Sequence, residues 1–498
     1  MASPAITEPR RTLGATSIGR PGGSSLVRGG AWLLLVAVLA AVTLEGLVAS
    51  SLGPAAGDLL RIGRNAAYLV LAPFLLGYVV LTGRIRAFLQ PVDIALAVLV
   101  AVMFIGSLAA DSSIRLTGEG MFVYLRGTII FYAIRALRPS WADARRLAWL
   151  LGGIFVVNAI VAVIQGFVGL PAFTFFGFTD LTWAVINRAQ GLQVHPNHLG
   201  HILGLGSMVV LGLIASKPRV PARWWALFAL FAYAIAASQS RETVLGMVAG
   251  LIVLLILRRS AIKRLVAAGT VLVAFVAVIW IAHPANFAEL TRRLTGVVTA
   301  IEIPSGQEEG VVCDPSVEPC TIEGVPHREV RVLYIQQGLA LWTRQPVFGY
   351  GIGQFGGAVA FEDDPRWYLD PRFGPNGFSM HGFEAKQVDS FWLHLFVEVG
   401  AAGSIAYAIW YLLLGWPLAR WSWPRRRSAL ADGATDLALS LQPAAVAALA
   451  FAWVVAVFSP SLEDPMFPPL LFALLGFAWL TRPADTSERP MDPAPGPA

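Results

Sequence analysis

The sequence predicts an all-α integral membrane protein with about twelve transmembrane helices. Hydrophobic residues make up 56% of the 498 residues and charged residues only 14%, and the mean hydropathy is +0.64. This composition excludes an ordinary water-soluble globule. Apolar runs long enough to cross a bilayer recur at 31–50, 66–82, 91–109, 119–136, 146–168, 196–215, 222–238, 242–257, 263–281, 389–414, 441–459 and 465–481.

The basic residues predict the orientation of these spans. Arginine and lysine clusters precede the first span and follow spans two, four, six, eight and ten, while the other short loops carry little charge. By the positive-inside rule, both termini are cytoplasmic. The net charge of +6 and the isoelectric point near 9.5 mainly reflect this topology, so no nucleic-acid partner is needed to explain them.

The predicted organisation follows from the spans and the composition between them. Segment 1–28 is rich in Gly, Ser, Pro and Arg, and segment 482–498 is rich in Pro, Ala and Asp. Both compositions predict disordered cytoplasmic tails. The membrane domain comprises 29–282, with helices one to nine, and 389–481, with helices ten to twelve. A long outer loop, 283–388, lies between the ninth and tenth helices and has room for a soluble subdomain. The first apolar stretch is too long for a cleaved signal peptide.

Within the long loop, residues 327–344 place apolar side chains at helical spacing, and Pro346 ends the pattern. The glycine-dense turn that follows predicts backbone packed closely against a ligand or against the membrane domain. Cys313 and Cys320 also lie in this loop. Two interpretations of the pair stay open: a small disulfide-bonded loop, and two free thiols.

Arg188, Arg241 and Arg331 are predicted to share the outer face. Arg188 precedes the start of the sixth span, where helix-start amides and a guanidinium group together favour an anion. Because the outer face holds no nucleotides, clustered arginines there indicate a phosphate-bearing, lipid-linked substrate. The alternatives are a headgroup contact for Arg188, an ion pair of Arg241 with Glu242, and simple exposure of Arg331.

Two residues near the tenth span are candidates for a general base. Asp389 is predicted at the outer start of that helix, as a cap or as a base, and His381 precedes it. Glu398, deeper in the helix, is expected to face the bundle interior. Arg126 is predicted either in a cavity or near a helix end.

Three histidines, His195, His198 and His201, lie at the start of the sixth span. No carboxylate or cysteine accompanies them in the sequence, so they are interpreted as interfacial polar residues and no metal site is predicted.

The order of these motifs resembles the bacterial O-antigen ligase and O-antigen polymerase superfamily over about residues 180–410. The residues that carry the resemblance are Arg188, Gly191, Pro196 and Asn197; Ser240 and Arg241; Arg331, Pro346, Gly349, Gly351, Gly353 and Phe355; and Asp389, Ser390, Leu393, Glu398 and Gly400.

The resemblance implies a membrane glycosyltransferase of the bacterial inner membrane that works on the periplasmic side without a metal or other cofactor. Its partners would be an undecaprenyl-diphosphate-linked oligosaccharide as donor, a glycan acceptor, the lipid bilayer and a chain-length regulator. Arg188 and Arg241, with Arg331, would bind the diphosphate. The supporting residues would be Gln190, Gly191, Asn197, Gly351, Gly353, Gln354 and Glu398.

One position departs from the family pattern. Many ligases have His-Asn where this chain has Asp389-Ser390, which favours a polymerase of O-antigen, capsule or exopolysaccharide. A ligase acting on lipid A core and one acting on pilin stay open. A twelve-span secondary transporter is the alternative of another class. Against it, the long loop does not divide the spans into halves, and the chain shows no internal repeat.

Overall fold

The computed structural model describes residues 23–178, 181–217, 219–282, 330–374, 378, 387–422 and 436–482. Within these ranges the chain is helical and contains no strand. The helices are α1 Gly23–Leu52, α2 Pro54–Leu81, α3 Pro91–Ala109, α4 Ile114–Leu137, α5 Trp141–Val168, α6 Leu170–Phe175, α7 Thr182–Val185, α8 Pro196–Ser216, α9 Ala222–Ser238, α10 Arg241–Leu257, α11 Ile262–Ala282, α12 Val330–Arg344, α13 Ala358–Asp363, α14 Phe391–Ser422, α15 Asp436–Phe458 and α16 Phe467–Leu480. Short 3-10 turns lie at Ile85–Phe88, Arg259–Ala261, Trp367–Leu369 and Pro371–Phe373.

The described helices form a multi-pass membrane bundle. Nine of them are long and apolar enough to cross a membrane: α1 to α5, α8, α11, α14 and α15. Helices α9 and α10, of 17 residues each, and α16, of 14, are shorter. Every predicted span overlaps a helix, although the number of crossings and their orientation stay predictions.

Helices α1 and α2 begin well before the spans that the sequence predicts. Helix α1 starts at Gly23, inside the segment expected to be disordered. Helix α2 starts at Pro54, twelve residues before the predicted span. Charged residues in its first turns lower the local hydropathy, yet Arg64 is buried because it pairs with Glu45 of α1. A buried ion pair between two helices therefore extends the bundle beyond the apolar run.

Helix α8 lies at the centre of the bundle and packs against α9, α10 and α15. Its glycines let neighbouring helices approach closely. A Cβ atom on Gly204 would lie 2.4 Å from the ring of Phe451, and one on Gly250 of α10 would lie 2.4 Å from the sulfur of Met208. Small residues at helix crossings are the usual basis of packing in membranes.

Helix α14 is broken at Gly400, where φ is 61° and ψ is −165°. The glycine-dense turn 346–353 fills the break. The N–H groups of Tyr350 and Gly351 donate to the carbonyls of Val397 and Glu398 at 3.0 and 2.9 Å. Beyond the break, the N–H groups of residues 401 and 402 donate to the carbonyls of residues 346 and 347 at 2.9 and 3.1 Å. The turn thus satisfies the backbone groups that the break releases. Of the two interpretations of this turn, packing against the membrane domain is the one found.

The described part of the long loop has an apolar core of its own. The helix predicted over 327–344 is confirmed as α12. The buried side chains of this core are Leu341, Tyr350, Phe355, Ala360, Trp367, Tyr368, Phe373, Phe378, Val388, Leu393 and Val397. The last two belong to α14, so the core of the loop continues onto the membrane bundle. Cys313, Cys320 and His381, and the tails before residue 23 and after residue 482, lie outside the described residues.

Candidate functional site

Arg188, Arg241 and Asp389 lie at one end of the bundle, which we call the arginine end. Arg188 is half-buried there and held by three elements. Its Nε donates to the carbonyl of Ser238 at the end of α9, at 3.0 Å. Its Nη2 donates to Oδ1 of Asn197 in the first turn of α8, at 2.8 Å. Its guanidinium carbon lies 5.2 Å from the centre of the Trp183 ring. The guanidinium group is therefore fixed at the start of α8, which is the position predicted for Arg188.

Arg241 begins α10, directly beside the segment that carries Arg188. The N–H of Ala189 donates to the carbonyl of Ala237 at 3.0 Å, and Nε2 of Gln239 donates to the carbonyl of Asn187 at 2.8 Å. These bonds join the loop 187–189 to the turn that leads into Arg241. The structure therefore brings the two arginines, 53 positions apart in the sequence, onto adjoining backbone segments.

Glu242, the ion-pair partner considered for Arg241, is buried and faces α8. Its Oε1 lies 3.9 Å from Nε2 of His201. The carboxylate is thus placed beside a buried imidazole of the neighbouring helix.

Two amide side chains of α5 fix the loop that follows Arg188. Oε1 of Gln165 accepts the N–H groups of Gln190 and Gly191 at 3.0 and 2.7 Å, and its Nε2 donates to the carbonyl of Gly191 at 2.9 Å. Oδ1 of Asn158 accepts the N–H of Leu192 at 3.0 Å. Gly191 has φ 60°, and a Cβ atom there would lie 2.9 Å from the backbone oxygen of Asn158. Neither amide was predicted from the sequence, although a polar residue inside an apolar span indicates an interior contact.

A short loop between α15 and α16, residues 459–466, crosses the arginine end. Oδ2 of Asp464 lies 3.0 Å from Nε2 of His198 in the first turn of α8. Oε1 of Glu463 lies 2.6 Å from Nδ1 of His394 in α14. The N–H of Phe391 donates to the carbonyl of Ser459 at 3.2 Å. The loop therefore connects the starts of α8 and α14, which sequence analysis did not foresee.

Arg331 and Asp389 form an ion pair at the start of α14. Nε and Nη2 of Arg331 donate to Oδ2 of Asp389 at 3.3 and 3.1 Å, and both side chains are partly exposed. The capping interpretation of Asp389 gives way to Ser390, whose Oγ accepts the N–H of Leu393 at 3.3 Å. Arg331 thus contacts the residue predicted as the base.

Glu398 is buried inside the bundle and holds the glycine-dense turn. Its Oε1 accepts the N–H of Phe355 at 2.8 Å, and its Oε2 accepts the hydroxyl of Tyr124 at 2.8 Å. Of the other supporting residues, Gln354 accepts a hydrogen bond from Arg372 at 2.6 Å. Gly353 has φ 79° and packs against α4, where a Cβ atom would lie 3.0 Å from the carbonyl of residue 116.

Arg126 is also buried and donates to the backbone carbonyl of Glu463. It interacts electrostatically with Arg64 and Asp464 as well. Of the two positions predicted for Arg126, the enclosed one is found. The side chain of Arg126 therefore holds the loop 459–466 from the interior of the bundle.

His195 caps the start of α8 with its ring. Its Nδ1 accepts the N–H of Asn197 at 3.0 Å. Burial, together with the charges of His198 and Arg188, lowers the pKa of His195 to about 3. The ring is therefore neutral at physiological pH, as its role of acceptor requires.

A polar cavity of 520 Å³ lies in the loop subdomain, beside the start of α4. Asp363, Asp370, Arg366, Arg372 and Gln354 line it together with Trp367 and smaller residues. Carboxylate, guanidinium and amide groups can hydrogen-bond hydroxyl groups.

Within the described ranges, no three His, Cys, Asp or Glu side chains are grouped to hold a metal ion.

The all-helical bundle, with half-buried arginines at one end, defines a multi-pass membrane protein. Residues 226–408 match the family model described as O-antigen ligase. The match confirms the resemblance to the O-antigen ligase and polymerase superfamily over this segment. Arg241, Arg331, Asp389 and Glu398 lie inside the matched segment, and Arg188 precedes it. No curated protein matches the chain.

Proposed function

We propose that this protein is a metal-independent glycosyltransferase that polymerises undecaprenyl-diphosphate-linked glycan during surface polysaccharide biosynthesis. The reaction would take place at the arginine end, on the periplasmic side of the bacterial inner membrane. The observation that carries the proposal is the position of Arg188, whose guanidinium is fixed between α8 and α9 beside the turn that leads into Arg241.

The chemistry of the donor explains why arginines would be needed. Breaking the bond between the sugar and the diphosphate leaves an electron pair on a group that is already anionic. Cations that are held in place before the reaction stabilise this charge, and they do so most strongly where water is scarce. A guanidinium group can bind two phosphate oxygens at once. Two arginines can therefore take the part that a bound metal ion plays in metal-dependent transferases.

The Arg331–Asp389 pair supports the choice of a polymerase over a ligase. Asp389 occupies the position where many ligases of the superfamily carry histidine, and it accepts two hydrogen bonds from Arg331. Enzymes that use a lipid-linked repeat unit as acceptor would therefore differ at this position from enzymes that use lipid A core or pilin. Arg331 would reach the diphosphate only when its pair with Asp389 opens.

The proposal is tested with purified protein and the lipid-linked repeat unit extracted from the host strain after deletion of the gene. We expect a ladder of longer products from the wild type and none from Arg188→Ala or Arg241→Ala. Arg188→Lys should retain part of the activity, since an ammonium group lacks the bidentate fork. Arg146→Ala is the matched control, because Arg146 is exposed at the opposite end of the bundle. Normal ladders from both alanine variants would refute the proposal.

The same preparation separates the alternatives. Product only when lipid A core is added would indicate a ligase, and glycosylated pilin would indicate a protein ligase. Movement of the lipid-linked unit across a vesicle membrane, without a new glycosidic bond, would indicate a transporter.

A further inference from the structure

We propose that His198, beside Asp464, is the general base that deprotonates the acceptor hydroxyl, in place of Asp389, whose carboxylate accepts two hydrogen bonds from Arg331. This inference rests on the proposed function and assigns its proton-transfer step. The pair was not foreseen from the sequence, because its members lie 266 positions apart, one in α8 and one in the loop between α15 and α16.

The geometry of the pair is that of an imidazole held by a fixed carboxylate. Oδ2 of Asp464 lies 3.0 Å from Nε2 of His198. Its other oxygen, Oδ1, accepts the N–H of Met466 at 2.8 Å. The backbone of the loop therefore fixes the carboxylate beside the ring. With its hydrogen on Nε2, the nitrogen near Asp464, the neutral ring keeps the lone pair of Nδ1 as the proton acceptor.

The exposed fractions of the two side chains agree with a base that meets the substrate and a carboxylate that stays inside the protein. The side chain of Asp464 is 7% exposed, whereas that of His198 is 32% exposed. The carboxylate is thus shielded from water, and the ring remains within reach of a substrate. A general base must come within roughly 3 Å of the proton that it takes.

His198 also lies next to the proposed diphosphate site. It follows Asn197, whose side chain receives the hydrogen bond from Arg188. In a lipid-diphosphate sugar, the anomeric carbon is bonded to the diphosphate. The ring of His198 lies 5.7 Å, centre to centre, from the ring of His195, which interacts electrostatically with Arg188. The base and the arginine therefore share the start of α8, where the anomeric carbon of a bound donor would lie.

The other histidines of this end do not meet these requirements. His195 uses Nδ1 to cap α8, and its pKa of about 3 makes it a weak base. His201 is fully buried. His394 is fully buried as well, and the backbone of Gly356 covers its Nε2, since a Cβ atom there would lie 3.0 Å away.

The charged groups around the pair come from several elements. Asp464 interacts electrostatically with Glu45 of α1 and with Arg126 of α4. His198 interacts with His195 and His201 of its own helix, and Arg188 interacts with His195. Protonation of His198 during the reaction would place a cation beside Asp464, which is the role of the carboxylate in serine-protease triads.

The oxygen of the acceptor hydroxyl forms a bond to the anomeric carbon of the donor sugar, and its proton passes to Nδ1 of His198. The bond between that carbon and the diphosphate oxygen breaks, and its electron pair stays on the diphosphate. The imidazolium ion then returns the proton to solvent.

The test compares His198→Ala, His198→Gln and Asp464→Asn in the full-length protein, with the lipid-linked repeat unit from the deletion strain as substrate. Asp143→Asn, which alters an exposed ion pair with Arg146, is the control. We expect both His198 variants to lose transfer rate by about 100-fold or more, the usual contribution of a general base. Asp464→Asn should lose about 10-fold to 100-fold, because it removes the negative charge beside the imidazolium ion.

Chemical rescue distinguishes proton transfer from a structural role. Added imidazole should restore part of the rate of His198→Ala, because the removed side chain leaves space for it.

Binding of undecaprenyl diphosphate, measured on the same preparations, separates this inference from the function on which it rests. The His198 variants should bind it as the wild type does. A transfer rate within about threefold of wild type in His198→Gln would overturn the inference and leave the transferase in place. A wild type that neither binds undecaprenyl diphosphate nor forms product would overturn the function itself.

Discussion

Replacing Gly400 with alanine should separate the glycine-dense turn from α14. Gly400 has φ 61° and ψ −165°, a conformation that is essentially restricted to glycine and costs other residues about 1 to 3 kcal/mol. The new Cβ atom would also lie 2.4 Å from the carbonyl oxygen of Val347 and 2.7 Å from the amide nitrogen of Gly349. The turn would have to move, and at least one of its hydrogen bonds to residues 401 and 402 would be lost, at about 1 kcal/mol.

Together these terms predict a loss of about 3 to 5 kcal/mol in the free energy of unfolding. Gly152→Ala is the matched control, since Gly152 lies in α5 with nothing within 4 Å of the new methyl group, so it should be neutral or stabilising by up to about 1 kcal/mol. The measurement is denaturant unfolding in detergent micelles, combined with hydrogen exchange at the amides of Tyr350 and Gly351. Equal stability of the two variants, with unchanged protection of these amides, would refute the reasoning.

Three further predictions concern the hydrogen bonds of Glu398, the Arg331–Asp389 pair and the loop after Arg188. Tyr124→Phe removes a donor from the buried carboxylate of Glu398 and should lower the free energy of unfolding by about 1 to 3 kcal/mol; an unchanged denaturant midpoint would contradict this. Arg331→Ala breaks a partly exposed ion pair and should change stability by less than about 1 kcal/mol, while reducing transfer less than Arg188→Ala does; a larger kinetic effect than that of Arg188→Ala would show that the ranking is wrong. Gln165→Leu removes three hydrogen bonds from the loop after Arg188 and should weaken binding of undecaprenyl diphosphate. Unaltered affinity would show that these hydrogen bonds are not needed to position Arg188.

Hydropathy and charge were sufficient to predict the helices of the bundle, because the bilayer constrains the length and polarity of each span. They failed at α2, where a buried partner neutralises Arg64. A hydropathy window averages over neighbours in sequence and does not register a partner on another helix. Glycine spacing predicted a close backbone approach for the turn after Pro346. Only the structure identified the surface approached as the break at Gly400.

Arg188 and Arg241 were proposed from the sequence because their order in the motifs and their predicted side of the membrane left few arginines as candidates. The loop between α15 and α16 was missed. Glu463 and Asp464 are two acidic residues between two apolar helices, and that pattern is a signal for an interior role. The sequence does not state which side chains they meet, since His198 and His394 lie far away along the chain. Their pairing depends on how α8, α14 and α15 pack.

The central claim is that Arg188 and Arg241 bind a diphosphate at the arginine end. The most direct test is the affinity of the purified protein for undecaprenyl diphosphate, measured against undecaprenol, which has the same lipid chain but no phosphate. The account predicts preferential binding of the diphosphate by the wild type, and at least about tenfold weaker binding by Arg188→Ala and Arg241→Ala, the loss of a charge-assisted hydrogen bond. Equal affinity of the wild type for the two lipids, or unchanged diphosphate affinity in both variants, would contradict it.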